Sequence, residues 1–445
     1  MIDNTINIEG LFPNKSISDW EEATKKMLKT DDLDRKLIFK SVEGFDLHPL
    51  QTKTDFVCEL STFPSEVKVN STTASFDIDL SKIHNSGGSI IQELSYAIVK
   101  FNELIDSKNE INICISLDSL YFSNISKLRA LRFLIERLTE ESGNEIKFKI
   151  HANNSLREQT LFDPWVNMLR NVTSSMAAII GGADFISSFS YDALYSEMTG
   201  NESSSLGLRQ SRNHLKILLE ESHLGQVKDY SKGSYTIENL TELLITKSWE
   251  QALSFTTDED FARNVKSVSE KRFELVRSRK VTVTGVNNFA NPDETLSNIY
   301  QNEFEIPKIK NDLFPIRPVS FEFDHLRSKF NAKENPVSIV LFDKEAILSG
   351  RINFCQNYFE VVGSKVEICH SIDELKDHQH VIICATDRAY EKDLDSYIKS
   401  IETKMPKSIY LAGNFDHKNK KIMSNLFMGQ DIFTVLNNFV MKESV

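Results

Sequence analysis

Ile111-Asn112-Ile113-Cys114-Ile115-Ser116-Leu117, then Lys127-Leu128-Arg129-Ala130-Leu131-Arg132, then Ile146-Lys147-Phe148-Lys149-Ile150-His151 decide how this chain folds. The first run has the length and apolar content of a buried strand. The middle one belongs to a helix over Lys127 to Leu138, with Arg129, Arg132 and Arg137 expected on its wetter sides. Ile146 to His151 is a second strand. A strand, a helix and a strand in immediate succession imply parallel packing of α/β type.

Working towards the N-terminus, Ile90, Ile91, Leu94, Ala97, Ile98, Phe101, Leu104 and Ile105 share one face of a helix. Phe56 to Asp79 gives short β-like runs, and Ser18-Asp19-Trp20-Glu21 has a capping-box pattern announcing a helix to about Thr30. Towards the C-terminus, Asp163 and Pro164 suit the N-cap and first position of a helix ending at Gly181-Gly182, and Phe185 to Phe189 follows as a strand. Five of the 10 prolines (Pro292, Pro307, Pro315, Pro318, Pro336) then cluster, so residues 280–335 read as an extended linker. Beyond it, Val337 to Phe342, Val381 to Cys384 and Ser408 to Leu411 suit central parallel strands. Helices are expected over Gly350 to Val361, Glu391 to Thr403 and Ile432 to Phe439, which makes a small flavodoxin-like open sheet.

Charge narrows the function classes. With 52 basic and 64 acidic residues the net charge is -12, and the longest basic stretch is Lys418-Asn419-Lys420-Lys421, which disfavours a nucleic-acid binder. Met1 to Asn14 lacks the basic and apolar parts of a signal peptide, and no apolar run reaches membrane-spanning length. The 5 cysteines (Cys58, Cys114, Cys355, Cys369, Cys384) are scattered singly, mostly in strand-like surroundings. A cytoplasmic protein is expected.

Motifs with chemistry in them are scarce. A Rossmann fingerprint, a P-loop and a nucleophile elbow are all absent, and Gly181-Gly182 reads as a helix stop. His378-Gln379-His380 lacks further ligands at metal spacing and reads as a solvated loop. His214 and His223, with Glu220 and Glu221, fit a surface helix. His151, at the carboxyl end of a strand, and Asp79 with His84, after an earlier strand, stand where catalytic groups collect in barrels.

Several segments resemble the methylmalonyl-CoA mutase family, and specifically its small, non-catalytic subunit. They are Gln92-Glu93-Leu94-Ser95-Tyr96-Ala97, Lys127-Leu128-Arg129-Ala130-Leu131-Arg132, His151 to Arg170 with Asp163-Pro164-Trp165-Val166-Asn167 inside it, Glu220-Glu221-Ser222, Gly233-Ser234-Tyr235, Tyr410-Leu411-Ala412-Gly413 and Phe427-Met428-Gly429-Gln430-Asp431, together with Trp20 and Glu43-Gly44-Phe45 near the start. The resemblance implies a (β/α) barrel threaded by coenzyme A and a cobalamin domain behind it. It also implies the adenosylcobalamin-dependent exchange of succinyl-CoA and methylmalonyl-CoA. On this basis residues 1–50 are a leading arm, 51–275 a truncated (β/α) barrel of TIM type, 276–335 the linker and 336–445 a degenerate, flavodoxin-like cobalamin-type domain.

Departures from the family pattern bear on what the chain contributes. The signature Asp-x-His-x-x-Gly, whose histidine binds cobalt, corresponds to Asp343-Lys344-Glu345-Ala346-Ile347-Leu348, followed by Ser349-Gly350, with no histidine; Asp46-Leu47-His48 lies in the wrong domain. The family's Tyr-His pair falls near Ser81-Lys82, with His84 two places late, and its Gln-Thr-Ser-Gly becomes Asn153-Asn154-Ser155-Leu156. Only about 30 residues separate Pro49 from Asp79, where several (β/α) units are expected. The missing units leave sheet edges for the runs at 56–79, or a partner, to cover.

The expectation is therefore a small subunit with no catalytic, cofactor-binding or metal-ligating residue of its own. It would form a heterodimer with a large catalytic subunit that holds adenosylcobalamin and acyl-CoA. The alternatives are a self-sufficient acyl-CoA mutase using His84 or His151, and a binding module for another mutase-associated assembly.

Overall fold

The computed structural model describes residues 15–54, 56–70, 75–301, 304–330 and 336–443, and Met1 to Asn14 lies outside the described residues. Two parallel five-stranded sheets organise it. The first contains β1 (Lys68–Val69), β2 (Ile78–Asp79), β3 (Glu110–Leu117), β4 (Lys147–Asn154) and β5 (Phe185–Ile186) in the order β1-β5-β4-β3-β2. From β2 to β5 the strands neighbour one another in chain order, with helices Ile90–Leu104, Tyr121–Ser142 and Trp165–Ile180 between them. That is the winding of a (β/α) barrel, reduced to an arc. Among the described residues β1 and β2 have one strand partner each, so the arc stays open. Lys68–Val69 pairs with Phe185–Ile186 along that edge.

Side-chain alternation sorts the two faces of this sheet. Ile111, Ile113, Ile115 and Leu117 of β3 join Phe148, Ile150 and Ala152 of β4 in one core with Leu94, Phe101, Leu131 and Ile179 from the helices. Asn112, Cys114, Ser116, His151 and Asn153 alternate with them and so face the other way, where a barrel has its lumen. On that face the Asn70 side-chain amide lies 3.5 Å from the His151 imidazole and the Phe76 ring centroid 5.2 Å from it.

The second sheet contains β6 (Val337–Leu341), β7 (Val366–Cys369), β8 (His380–Cys384), β9 (Ser408–Ala412) and β10 (Ile422–Leu426), all parallel, in the order β10-β9-β8-β6-β7. Counted within the sheet this is 2-1-3-4-5, one of the two common doubly wound orders. Both faces are covered. Val337, Ile339, Ile382 and Tyr410 meet Cys355, Phe359, Leu436 and Phe439, while Val340, Val381, Ile383 and Leu411 meet Tyr390, Leu394 and Ile398. Double coverage explains why β6, β8 and β9 read as largely apolar runs rather than as an apolar-polar alternation.

Some expectations need correction. The first helix is Ile17–Leu28 and its capping box uses Ser16 with Asp19 rather than Ser18, because the Ser16 side chain accepts from the Asp19 amide at 3.1 Å. Residues 276–335 are not simply extended. Helices Leu296–Tyr300 and Phe321–Lys329 lie inside them, since none of the prolines falls within either helix. Val283, Val286, Phe323 and Leu326 from this stretch complete the core of the second sheet.

Arg129 and Arg132 are not on wet sides of their helix: both are buried, and Arg137 alone is exposed. The helix lies between the sheet on one side and helix Tyr235–Leu253 with the segment 58–62 on the other. Each buried cation of Lys127-Leu128-Arg129-Ala130-Leu131-Arg132 has its own carboxylate. Lys127 meets Glu93, Arg129 meets Glu238 at 3.0 Å and Asp229, and Arg132 meets Asp184 at 2.7 Å. This sequence signature is thus three interior cations in four ion pairs tying the helix to its neighbours.

Candidate functional site

The carboxyl ends of β2, β3 and β4 are where a barrel would hold its ligand. Here the loops after these strands deliver His84 from the short helix Ser81–Asn85, Asp118 from just beyond β3, and Ser155 and Arg157 from just beyond β4. Glu93 comes from the first turn of helix Ile90–Leu104, whose start is fixed by a capping box between Ser89 and Gln92. Gly87 makes the approach to that helix with φ +95°, where a Cβ would stand 2.4 Å from Ser269 Oγ.

These side chains form one buried network. His84 Nδ1 lies 2.9 Å from Glu93 Oε1, and its Nε2 lies 2.8 Å from Ser155 Oγ. Lys127 pairs with Glu93 Oε2 and donates to the Ser116 carbonyl at 2.7 Å. The Arg157 guanidinium donates to the carbonyls of His84 (3.0 Å) and Gly88 (2.9 Å) and to Asp118 (2.7 Å). Arg272 reaches the carbonyls of Gly87 and Gly88 and pairs with Glu43, whose other oxygen accepts from the Ile90 amide. His84, Glu93 and Lys127 are each at most 1% exposed.

Burial sets the protonation states. It pushes the His84 imidazole well below its ordinary range, with Arg157, Lys127 and Arg272 adding to the effect, so His84 is neutral. The tautomer that satisfies both neighbours has Nδ1–H donating to Glu93 and Nε2 accepting from the Ser155 hydroxyl. Burial raises the Glu93 carboxyl to about 7 against the pull of Lys127. Burial would raise Asp118 too, but Arg157, Lys127 and the Leu120 amide outweigh it and hold that carboxyl low.

Serine, histidine and glutamate in hydrogen-bonded series are the order of an acyl-transfer triad, so the arrangement has to be weighed as one. Three features set it aside. The amides of Leu156 and Arg157, next to Ser155, both donate to Asn85 Oδ1 (3.0 and 3.2 Å) and leave no oxyanion donors there. Glu93 is shared with Lys127. The segment 317–319 closes the top, its Arg317 amide donating to the Asn85 carbonyl and its Val319 amide to the Arg157 carbonyl. Among the described residues Ser155 is covered, at 4% exposed.

His151 is not part of this network. It lies inside β4 rather than at its end, facing the lumen side, with its ring stacked on Phe185 at 4.5 Å and its Nε2 3.0 Å from Asn112 Oδ1. Asp79 is taken by the Ser81 amide and hydroxyl. Asp46 and Leu47 belong to a two-residue antiparallel ladder with Phe39 and Lys40. His380 is in β8, not in a solvated loop; it is buried, with Nδ1 2.7 Å from Ser408 Oγ. His214, expected at the surface, is buried with Nε2 3.2 Å from Ser175 Oγ. Among the described residues no group of three or more His, Cys, Asp or Glu could hold a metal ion, and no helix is long and apolar enough to cross a membrane. Sequence reasoning passed over Asp118, Arg157 and Arg272, whose chemistry is visible only once distant segments meet.

At the carboxyl end of the second sheet, Asp343 occupies the position of the signature aspartate, but its Oδ2 accepts from the Thr386 amide and hydroxyl, both at 2.8 Å. On the resemblance drawn from the sequence, Glu345 takes the place of the cobalt-binding histidine and Leu348, 1% exposed in the core, that of the signature glycine. These residues do not fit a cobalt centre.

Comparison with known proteins bears on the whole arrangement. The model of the family "Methylmalonyl-CoA mutase" matches residues 42–311. The methylmalonyl-CoA mutase small subunit of Porphyromonas gingivalis is 29% identical over 325 residues, covering 65% of this chain and 51% of that protein. The small subunit of Propionibacterium freudenreichii subsp. shermanii is 24% identical over 402 residues, covering 81% and 62%. The methylmalonyl-CoA mutase of Rhizobium meliloti is 25% identical over 253 residues, covering 50% and 34%. The chain spans about half to three-fifths of the length of the small subunits it matches.

Proposed function

The chain belongs to the methylmalonyl-CoA mutase family, and from that premise we propose that it is a small, non-catalytic subunit supporting a large one in a cytoplasmic heterodimer. In this reading the large subunit carries both adenosylcobalamin and the acyl-CoA, and the complex interconverts succinyl-CoA and methylmalonyl-CoA. The relatives' designation as small subunits supports a partner of this kind. The doubly wound strand order of the second sheet suits a flavodoxin-like domain descended from a cobalamin-binding one.

The observation that carries the reading is the sealed network of His84, Glu93, Lys127, Arg157 and Asp118. A ligand site needs donors and acceptors left free for the ligand. In this one, the groups at the carboxyl ends of β2, β3 and β4 are spent on one another and covered by the segment 317–319. The inner face points the same way, because a pantetheine chain threaded along it would meet Phe76 over His151. The interior ion pairs hold a shape, and a shape is what a supporting subunit contributes.

The test is co-expression with candidate large subunits and assay of each chain alone and together. The reading expects turnover only when the large subunit is present; mutase turnover by this chain alone would refute it.

A further inference from the structure

In a doubly wound sheet the ligand crevice opens outside the carboxyl ends of the strands where the order reverses, here between β6 and β8. Beside that place, a side chain of the protein itself bridges the ends of β8 and β9. Arg351, on helix Glu345–Glu360, extends its guanidinium over the strand ends. Nη1 donates to the Ala385 carbonyl just after β8 (2.5 Å) and to the Ala412 carbonyl at the end of β9 (3.3 Å), and Nη2 pairs with Asp387 (2.5 Å). Its Cζ lies 5.7 Å from the centre of the Tyr390 ring, whose hydroxyl is 2.9 Å from the same Ala412 carbonyl.

The surroundings are shaped to it. Gly413 has φ +108°, and a Cβ there would stand 3.2 Å from Arg351 Cζ, so only glycine lets the chain turn this closely over the guanidinium. Across the crevice, Asp343 clasps Thr386 and draws the loops after β6 and β8 together. Two backbone carbonyls, a carboxylate and an aromatic face converge on one planar cation, a set that matches a guanidinium's fork of donors and its flat face.

We propose that Arg351 is a tethered internal ligand: a positioning residue reaching from the helix after β6, whose guanidinium bridges the ends of β8 and β9 and holds the loops after them in place of a bound cofactor. This rests on the reading that the chain carries no cobalamin of its own. It accounts for how the second sheet keeps ordered strand ends although the residues at its signature positions do not suit cobalt.

Chemical rescue tests it. In the full chain, Arg351→Ala leaves a guanidinium-shaped vacancy facing the Ala385 and Ala412 carbonyls and Asp387. Thermal unfolding is followed for wild type and variant in methylguanidinium chloride and in methylammonium chloride at matched ionic strength, with limited proteolysis of the 385–388 and 412–414 loops as a second readout. The expected result is a lowered midpoint and faster loop cleavage in the variant, with saturable recovery of both by methylguanidinium but not by methylammonium, and no such recovery in wild type. Equal responses of variant and wild type, or no recovery, overturn the proposal. Should Arg351→Ala fail to fold, Arg351→Lys replaces it: loop cleavage slowed by methylguanidinium supports the proposal, and cleavage at the wild-type rate without it overturns it. Titration of wild type with hydroxocobalamin separates the two levels. Tight binding overturns both this proposal and the non-catalytic reading, whereas no binding combined with no rescue overturns the internal ligand alone.

Discussion

His84 Nδ1 and Glu93 Oε1 lie 2.9 Å apart with neither side chain more than 1% exposed, and Lys127 closes on the other oxygen of the same carboxylate. A charge pair so deep is held in place by its partners, because removing one member strands the other away from water. Glu93→Ala or Lys127→Ala is therefore expected to cost about 3–5 kcal/mol each in urea unfolding. The double replacement Glu93→Ala with Lys127→Ala should cost clearly less than the sum of the two single losses. Additive losses would show that the two groups do not depend on each other.

Arg132 makes a second such anchor, joining Asp184 at 2.7 Å to the carbonyls of Gly182 (2.7 Å) and Thr62 (2.9 Å). Arg132→Ala should lower stability by about 3–5 kcal/mol and release the segment around Thr62. Faster proteolysis within residues 58–70 is the accompanying sign, and unchanged cleavage there would detach Arg132 from this role.

These two positions also show where the sequence was legible and where it was not. Ile90–Leu104, β3 and β4 announce themselves, because burial on one face imposes a period that needs only neighbouring residues to be seen. Arg129 and Arg132 misled because arginine spaced along a helix ordinarily marks the wet side. Their burial depends on Glu238, 109 residues away, and Asp184, 52 residues away. His214 and His380 were misplaced for the same reason. β7 and β10 escaped notice because edge strands such as Val366–Cys369 keep charged or exposed residues. Of the site, His84 was legible as a residue after a strand; that its donors were all spent was not.

His214 carries a pH signature. Burial lowers its imidazole to about 4, against about 6.5 in the unfolded chain. Between those values the unfolded state binds the extra proton, so stability is full above pH 6.5 and falls as the pH drops towards 4. The loss amounts to at most about 3 kcal/mol. His214→Gln, which has an amide for Ser175, should flatten this limb in unfolding measured from pH 7 to 4. An acid limb unchanged by the substitution would assign the loss to other groups.

His151 discriminates between support and catalysis. Its ring is a packing surface between Phe185 and Phe76, so His151→Ala should cost about 1–3 kcal/mol of stability. Turnover of the assembled complex should be unchanged at temperatures where the variant is folded. A fall of a hundredfold in kcat with the midpoint of unfolding preserved would place His151 in an active site instead.

The most direct measurement is a titration of the purified chain with adenosylcobalamin, followed in the visible spectrum. The account predicts no bound cofactor at tens of micromolar, since Glu345 stands where the resemblance would have an imidazole meet cobalt and Arg351 bridges the loops after β8 and β9. Tight binding with displacement of the cofactor's own lower base would contradict it, because it would require a protein ligand to cobalt in this chain.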